Sequence, residues 1–203
     1  MRDNEAGRVA TGTLTGTALL LALGVVLPIV FHAIPLGGRI FLPMHLPTFV
    51  AGLVLGPVAG LVVGTGSPVL SGLLTGRPTV FYMIPMILEL ATYGLVSGLL
   101  RRRFESMLRG RSGGAAGLAA ETELPGAAGA APWTAVTLAL VFAMIAGRVV
   151  WVATVVWLAP VIGLTARTIA MAAGALGAGW IGMAIQLALI PAIVRAIERV
   201  RKT

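Results

Sequence analysis

Two charged residues stand where charge is costly. Glu89 lies within the apolar stretch PMILELATYGLVSGLL, and Arg148 within IAGRVVW. Ionised groups inside a membrane are rare, and those that occur pair with one another, line cavities or hold ligands. Counted from the outer ends of their segments, near Val80 and Ala159, Glu89 is about 14 Å deep and Arg148 about 16 Å deep at the helical rise. Similar depth on neighbouring helices permits a Glu89–Arg148 ion pair. Such a pair either locks the packing or faces a ligand cavity that opens outward. Tyr93, one helical turn below Glu89, can join the same network or simply pack.

A second set of candidates lies in the connections. Arg39, Arg77 and Arg167 occur singly, in GGRIFLP, TGRPTVF and LTARTIA. Arginine presents a planar fork that suits carboxylate or phosphate. Gathered around one mouth, the three favour an anionic ligand; scattered, they are ordinary loop charges. The segment FLPMHLPTF places Met44 and His45 between Pro43 and Pro47. A histidine at the end of a short helix can bind a ligand group or a metal, and an adjacent methionine raises haem ligation. Successive helical residues diverge by about 100°, so the two do not easily serve one iron from the same side. CxxCH, HExxH and P-loop patterns are absent, and Ser67 and Ser71 in GTGSPVLSG have no base with a reason to lie near them. The residues therefore predict no catalytic set, no metal centre and no resident cofactor.

The elements that must hold these groups are membrane spans. The chain is 58% hydrophobic and 11% charged, whereas a soluble domain carries about 45–50% apolar and about 25% charged residues. The excess lies in runs longer than a soluble core helix needs. This excludes an ordinary soluble enzyme, a disordered tail and, despite a net charge of +8, a nucleic-acid binder. Cysteine is absent, which removes disulfides, thiolate metal sites and cysteine nucleophiles.

A hydrocarbon core about 30 Å thick needs roughly 20 helical residues. On that basis six transmembrane helical segments are predicted, at about 9–33, 46–55, 58–74, 80–100, 133–159 and 167–194. The second is short. It ends at Gly56-Pro57, because proline removes a backbone donor and disfavours helix at the residue before it. It must lean on its neighbours rather than span alone. Residues 105–132, rich in Gly and Ala, are expected as a flexible cytoplasmic connector within a single membrane domain, 1–203. The N-terminal MRDNEAGR mixes charges ahead of an apolar run too long for a signal sequence, so the first segment is expected to be retained.

Basic flanks set the orientation. With both termini cytoplasmic, the inner flanks hold Arg2, Arg8, Arg101, Arg102, Arg103, Arg109, Arg111, Arg195, Arg199, Arg201 and Lys202. The outer loops then hold Arg39, Arg77 and Arg167. Topology and contact with anionic membrane lipid account for the surplus charge. Gly12 and Gly16, and Ala18 and Ala22, are four apart on the first helix, a spacing that lets another helix approach closely.

Together these residues resemble a substrate-binding S component of an energy-coupling factor (ECF) transporter. The Ala18-x3-Ala22 stripe is similar to the AxxxA pattern by which such components dock on a shared transmembrane T component. FLPMHLPTFVAGLVLGPVAGLVVGTGSPVLSGLLTG resembles the family's short second helix, Gly-Pro break and Gly-rich third helix. PMILELATYGLVSGLL with its basic run resembles the fourth helix, and IAGRVVW the fifth. The resemblance implies a binding protein of the cell membrane rather than an enzyme. It implies a vitamin or related micronutrient held at an outward site, and transport driven by two ATPases through the T component as the S component topples. Carried onto this chain, the substrate site would lie near Arg39, Phe41, His45, Arg77, Tyr82, Glu89, Arg148 and Trp151, and the docking face would include Ala18 and Ala22. Carboxylate-bearing vitamins such as pantothenate or folate, or a tetrapyrrole such as cobalamin or haem, are the substrate options. A stand-alone carrier or channel is the alternative, followed by an intramembrane enzyme using Glu89, His45 or Ser67, and an assembly factor in which the buried pair only locks packing.

Overall fold

The computed structural model describes residues 2–32, 42–115, 133–161 and 166–201. Among the described residues every regular element is helical: α1 (Arg2–His32), α2 (His45–Val50), α3 (Pro57–Thr75), α4 (Val80–Ala115), α5 (Trp133–Val161) and α6 (Ala166–Val200). The chain continues from α2 through a π-helical turn, Ala51–Leu55, before breaking. Windows long and apolar enough to cross a membrane occur in five of these helices, at Thr11–Phe31, Pro57–Thr75, Tyr82–Leu108, Trp133–Trp157 and Gly179–Val200. The stretch His45–Leu55 is apolar but covers only about 16 Å at the helical rise. The six segments expected from sequence thus resolve into five span candidates and one short helix packed among them.

The break at Gly56 is local chemistry. Gly56 has φ 110°, a conformation other residues rarely adopt. Pro57 then opens α3, where its missing N–H is no loss. At the other end α3 stops on Gly76 in the left-handed conformation, whose N–H bonds the Gly72 carbonyl.

α4 extends further than its hydropathy suggests. It runs to Ala115, through residues 105–115 that were expected to belong to the connector. Arg101 and Glu105 pair at i,i+4 across 2.6 Å and support the first turn past Leu100, although Gly110, Gly113 and Gly114 further on are poor helix formers. A polar helix can leave the bilayer without ending. The remainder of the expected connector, 116–132, lies outside the described residues.

α4 is also the centre of the bundle, with α3 on one flank and α5 on the other. The α3–α4 contact is backbone against backbone. A Cβ on Gly94 would collide with the Gly60 carbonyl, one on Gly64 with the Leu90 carbonyl, and one on Gly98 would lie 2.6 Å from the Pro57 nitrogen. Small residues permit this approach, which dispersion then stabilises. On α4's other side Leu90 and Tyr93 join Phe49 and Leu53 near α2, Leu140 and Met144 of α5, and Ile190 and Val194 of α6 in one buried cluster. Large apolar residues are also turned outward, among them Leu73 at 78% and Trp157 at 77% exposure. An apolar exterior on that scale belongs in lipid. The protein is a multi-pass membrane protein.

The basic ends of α4 and α6 meet near the start of α5 at one end of the bundle. The Arg101 guanidinium donates to the Leu53 carbonyl within the π-helical turn, and to Glu105 and Glu198. Arg195 stacks over the Trp133 ring at 5.1 Å.

Candidate functional site

The polar centre forms where α2, α4, α5 and α6 meet. Leu42 begins it, with φ 47°, an uncommon conformation for a residue with a side chain. That turn directs its carbonyl to two donors, the His45 N–H at 3.0 Å and Gln186 Nε2 at 3.2 Å. The start of α2 is thereby tied to α6, and His45 is fixed on the first turn of α2, 2% exposed. Neither ring nitrogen of His45 has a hydrogen-bond partner among the described residues.

Glu89 is 3% exposed on α4. Its Oε1 accepts a hydrogen bond from the Tyr93 hydroxyl at 2.7 Å and lies 3.1 Å from Arg148 Nη1. His45 Nε2 is 3.9 Å away, close enough to feel the charge but too far for a hydrogen bond. The Tyr93 ring is held by Phe49 at 4.7 Å and His45 at 5.2 Å between centroids. Gly147 clears space for that ring, since a Cβ there would strike it. On the far side of the pair, Arg148 Nε donates to the Met183 sulfur at 3.3 Å, while Nη2 is buried without a hydrogen-bond partner among the described residues. Gly179 leaves room at that nitrogen: its Cβ would come within 2.8 Å of Nη2.

Among the described residues, two cavities flank this centre. One of about 660 Å³ lies between α5 and α6, lined by Ile145, Arg148, Val149, Val152, Ala153, Val156, Trp180 and Met183. The other, about 350 Å³, lies by the α3–α4 turn and is lined by Pro28, Ile29, Met44, Ser71, Thr75, Arg77, Pro78 and Met86.

Of the site residues read from sequence, the structure brings His45, Glu89 and Arg148 together, with Tyr93. Trp151 is buried one turn from Arg148 on α5 and packs with Val155 in a separate small cluster. Arg77 is exposed; its carbonyl accepts the Ser71 hydroxyl at 2.9 Å, and it belongs to the smaller cavity. Tyr82 is half-buried on the first turn of α4, away from the Glu89 cluster in sequence by nearly two turns. Arg39 and Phe41 lie outside the described residues. Arg167 falls on the first turn of α6 rather than in a loop. Ser67 is fully buried, its hydroxyl without a partner among the described residues and facing Gly24 of α1. Met44 is buried beside His45, and no group of three or more His, Cys, Asp or Glu among the described residues is arranged to hold a metal. Ala18 and Ala22 are both exposed on α1.

Sequence reasoning missed the contribution of Leu42, Met183, Gln186 and the two glycines, Gly147 and Gly179. Gln186 carried a usable signal, because an amide within an apolar run is conspicuous for the same reason as Glu89. The others carried none: a methionine or glycine in such a chain is ordinary.

A family model described as ECF transporter, substrate-specific component, matches residues 12–197. No curated protein and no solved structure matches the chain.

Proposed function

The chain belongs to the family of ECF transporter substrate-specific components, and on that premise we propose that it is the high-affinity substrate-binding membrane subunit of an ECF-type importer. The family is one of transporter subunits rather than enzymes, whose members work with a T component and ATPases. In this reading the chain binds a vitamin or related micronutrient bearing an anionic group at an outward-facing site. It passes the ligand inward together with a T component and two ATPases. Both termini are cytoplasmic, with the cluster of basic helix ends at the inner face of the cell membrane.

One observation supports this placement of the site. The Glu89–Arg148 centre is not a closed lock: Arg148 Nη2 and both His45 nitrogens are buried without hydrogen-bond partners among the described residues. Each such atom costs about 1–3 kcal/mol when left unpaired. A centre built only for packing would satisfy them, whereas a ligand can supply the partners. Arg39, Phe41, Arg77, Tyr82 and Trp151 complete the outer part of the site in this reading, and the exposed Ala18 and Ala22 form the docking stripe on α1.

The deciding experiment is affinity purification of the full chain from its native membrane, followed by mass spectrometry of both proteins and small molecules. A T component, two ATPases and one stoichiometric micronutrient are expected. Purified chain that moves solute across liposomes by itself would overturn the reading in favour of a stand-alone carrier.

A further inference from the structure

We propose that the groove between α5 and α6 holds a monocarboxylic acid with an apolar body, its carboxylate on the Nε/Nη2 edge of Arg148. This rests on the subunit reading above and specifies the ligand that such a subunit would take.

The two edges of the Arg148 guanidinium are used differently. Nη1 is committed to Glu89 at 3.1 Å. The opposite edge, Nε with Nη2, is the one that matches a carboxylate through two parallel hydrogen bonds. Here Nε is held only by the Met183 sulfur, a weak acceptor, at 3.3 Å, and Nη2 by nothing among the described residues. A flexible thioether is easily displaced. Gly179 keeps the approach open, because a side chain there would come within 2.8 Å of Nη2. A carboxylate at this edge would replace one weak bond and one missing bond with two charge-assisted ones.

The surroundings set the rest of the ligand. Arg148 and Met183 sit in the wall of the 660 Å³ groove, and of its described lining residues Arg148 alone is charged. That volume suits a small organic molecule. Val149, Val152 and Val156 continue from Arg148 for two further turns along α5, and Trp180 faces them from α6. Arg148 already faces Glu89, so every anionic group on the ligand adds negative charge to an apolar slot; a single carboxylate, answered by two bonds from the Nε/Nη2 edge, adds the least. One acid and an apolar body fit.

Depth distinguishes such an acid from membrane phospholipid. Arg148 is about 22 Å from the Trp133 end of α5 and about 20 Å from the Val161 end at the helical rise. It therefore lies near the midplane, about 15 Å below the headgroups of a bilayer whose core is about 30 Å thick. A phosphate anchored at the headgroup level does not reach it, whereas a small acid that has left the surface does.

The test uses the full chain in phosphatidylcholine nanodiscs with 11-bromoundecanoate as probe, read by bromine quenching of Trp180 fluorescence. Saturable quenching is expected, lost in Trp180→Phe, and at least tenfold weaker for the methyl ester of the probe. Met183→Glu supplies a carboxylate to the same edge from within the chain and is expected to abolish saturable binding. Met183→Leu removes only the thioether and is expected to retain it, which separates edge occupancy from general damage. Ala153→Leu, which fills the groove, is expected to weaken binding at least tenfold. Equal binding of acid and ester, or undiminished binding by Met183→Glu, overturns the proposal. If Met183→Glu and Ala153→Leu still carry the native micronutrient and still co-purify with a T component, the groove is wrong and the subunit reading stands. If the unaltered chain recruits neither T component nor ATPases while the probe binds at Arg148, the subunit reading fails and the acid site stands.

Discussion

Oε1 of Glu89 lies 3.1 Å from Nη1 of Arg148 and accepts the Tyr93 hydroxyl at 2.7 Å, so a single carboxylate oxygen joins α4 to α5 at the centre of the bundle. Glu89 is almost wholly buried, and Arg148 largely so. Removing one member leaves the other as an uncompensated charge, which typically costs about 3–5 kcal/mol, whereas replacing both with apolar residues of similar size is often neutral. Glu89→Leu and Arg148→Met alone should therefore each lower stability strongly, and the double variant should recover most of the loss. A double-mutant cycle in thermal or denaturant unfolding of the reconstituted chain measures this. Additive losses would show that the pair is not coupled.

The Tyr93 ring has its own constraint. Phe49 and His45 close one side of it and Gly147 the other. Gly147→Ala would drive a methyl group into a ring with no space to retreat, an overpacking worth about 1–3 kcal/mol. Tyr93→Phe instead keeps the ring and removes the hydroxyl donor to Glu89, a hydrogen bond to a charged group worth about 1.5–3 kcal/mol. The two losses have different causes, which Tyr93→Leu separates. In that background Gly147→Ala should become nearly silent in unfolding measurements. A full penalty there would mean that Gly147 is required for some other contact.

The readable part of this molecule was the part that contradicts its solvent. Glu89 and Arg148 stood out because a charge in an apolar run must be answered, and depth along two helices sufficed to pair them. Gly56-Pro57 was equally visible, because backbone chemistry alone ends the short helix there. Met183 and Gly179 were invisible, since their roles arise from where α6 happens to cross α5 and not from residue type. The end of α4 lies beyond the expected span because hydropathy reports where a helix leaves the membrane and not where it stops, and the Arg101–Glu105 pair carries it past that point. Arg77 illustrates a third limit. Its loop position was legible, but which cavity it would line depended on the path of the chain through Pro78.

The α3–α4 crossing yields a sharper stability test. A Cβ on Gly94 meets the Gly60 backbone, and backbone cannot yield as a side-chain tip can. Gly94→Ala should therefore destabilise the bundle, whereas an alanine substitution in open surroundings should not. Gly12 on α1 provides the comparison, because a methyl group there would meet no described atom within 4 Å. Gly12→Ala should be neutral or stabilising by about 0.5–1 kcal/mol, the usual gain in helix propensity. Unfolding midpoints of the two variants in the same bilayer mimetic check the contrast. Similar midpoints would mean that α3 and α4 can separate at little cost.

In the proposed reading, the face of α1 that carries Ala18 and Ala22 serves coupling rather than folding. Both residues are exposed, and their i,i+4 spacing puts them on one side of the helix beside exposed Leu14, Val26 and Ile29. Small side chains there let a partner helix approach closely, and a pair of indoles would hold it off. Because neither alanine is packed within the bundle, Ala18→Trp with Ala22→Trp should leave the unfolding midpoint and micronutrient binding unchanged. Recovery of the T component in pull-downs should fall at least tenfold, and uptake should fall with it. Single variants should give intermediate losses, since one indole leaves part of the stripe accessible. Uptake that survives the double change would place the docking surface on another helix, while loss of ligand binding would show that α1 supports the site itself.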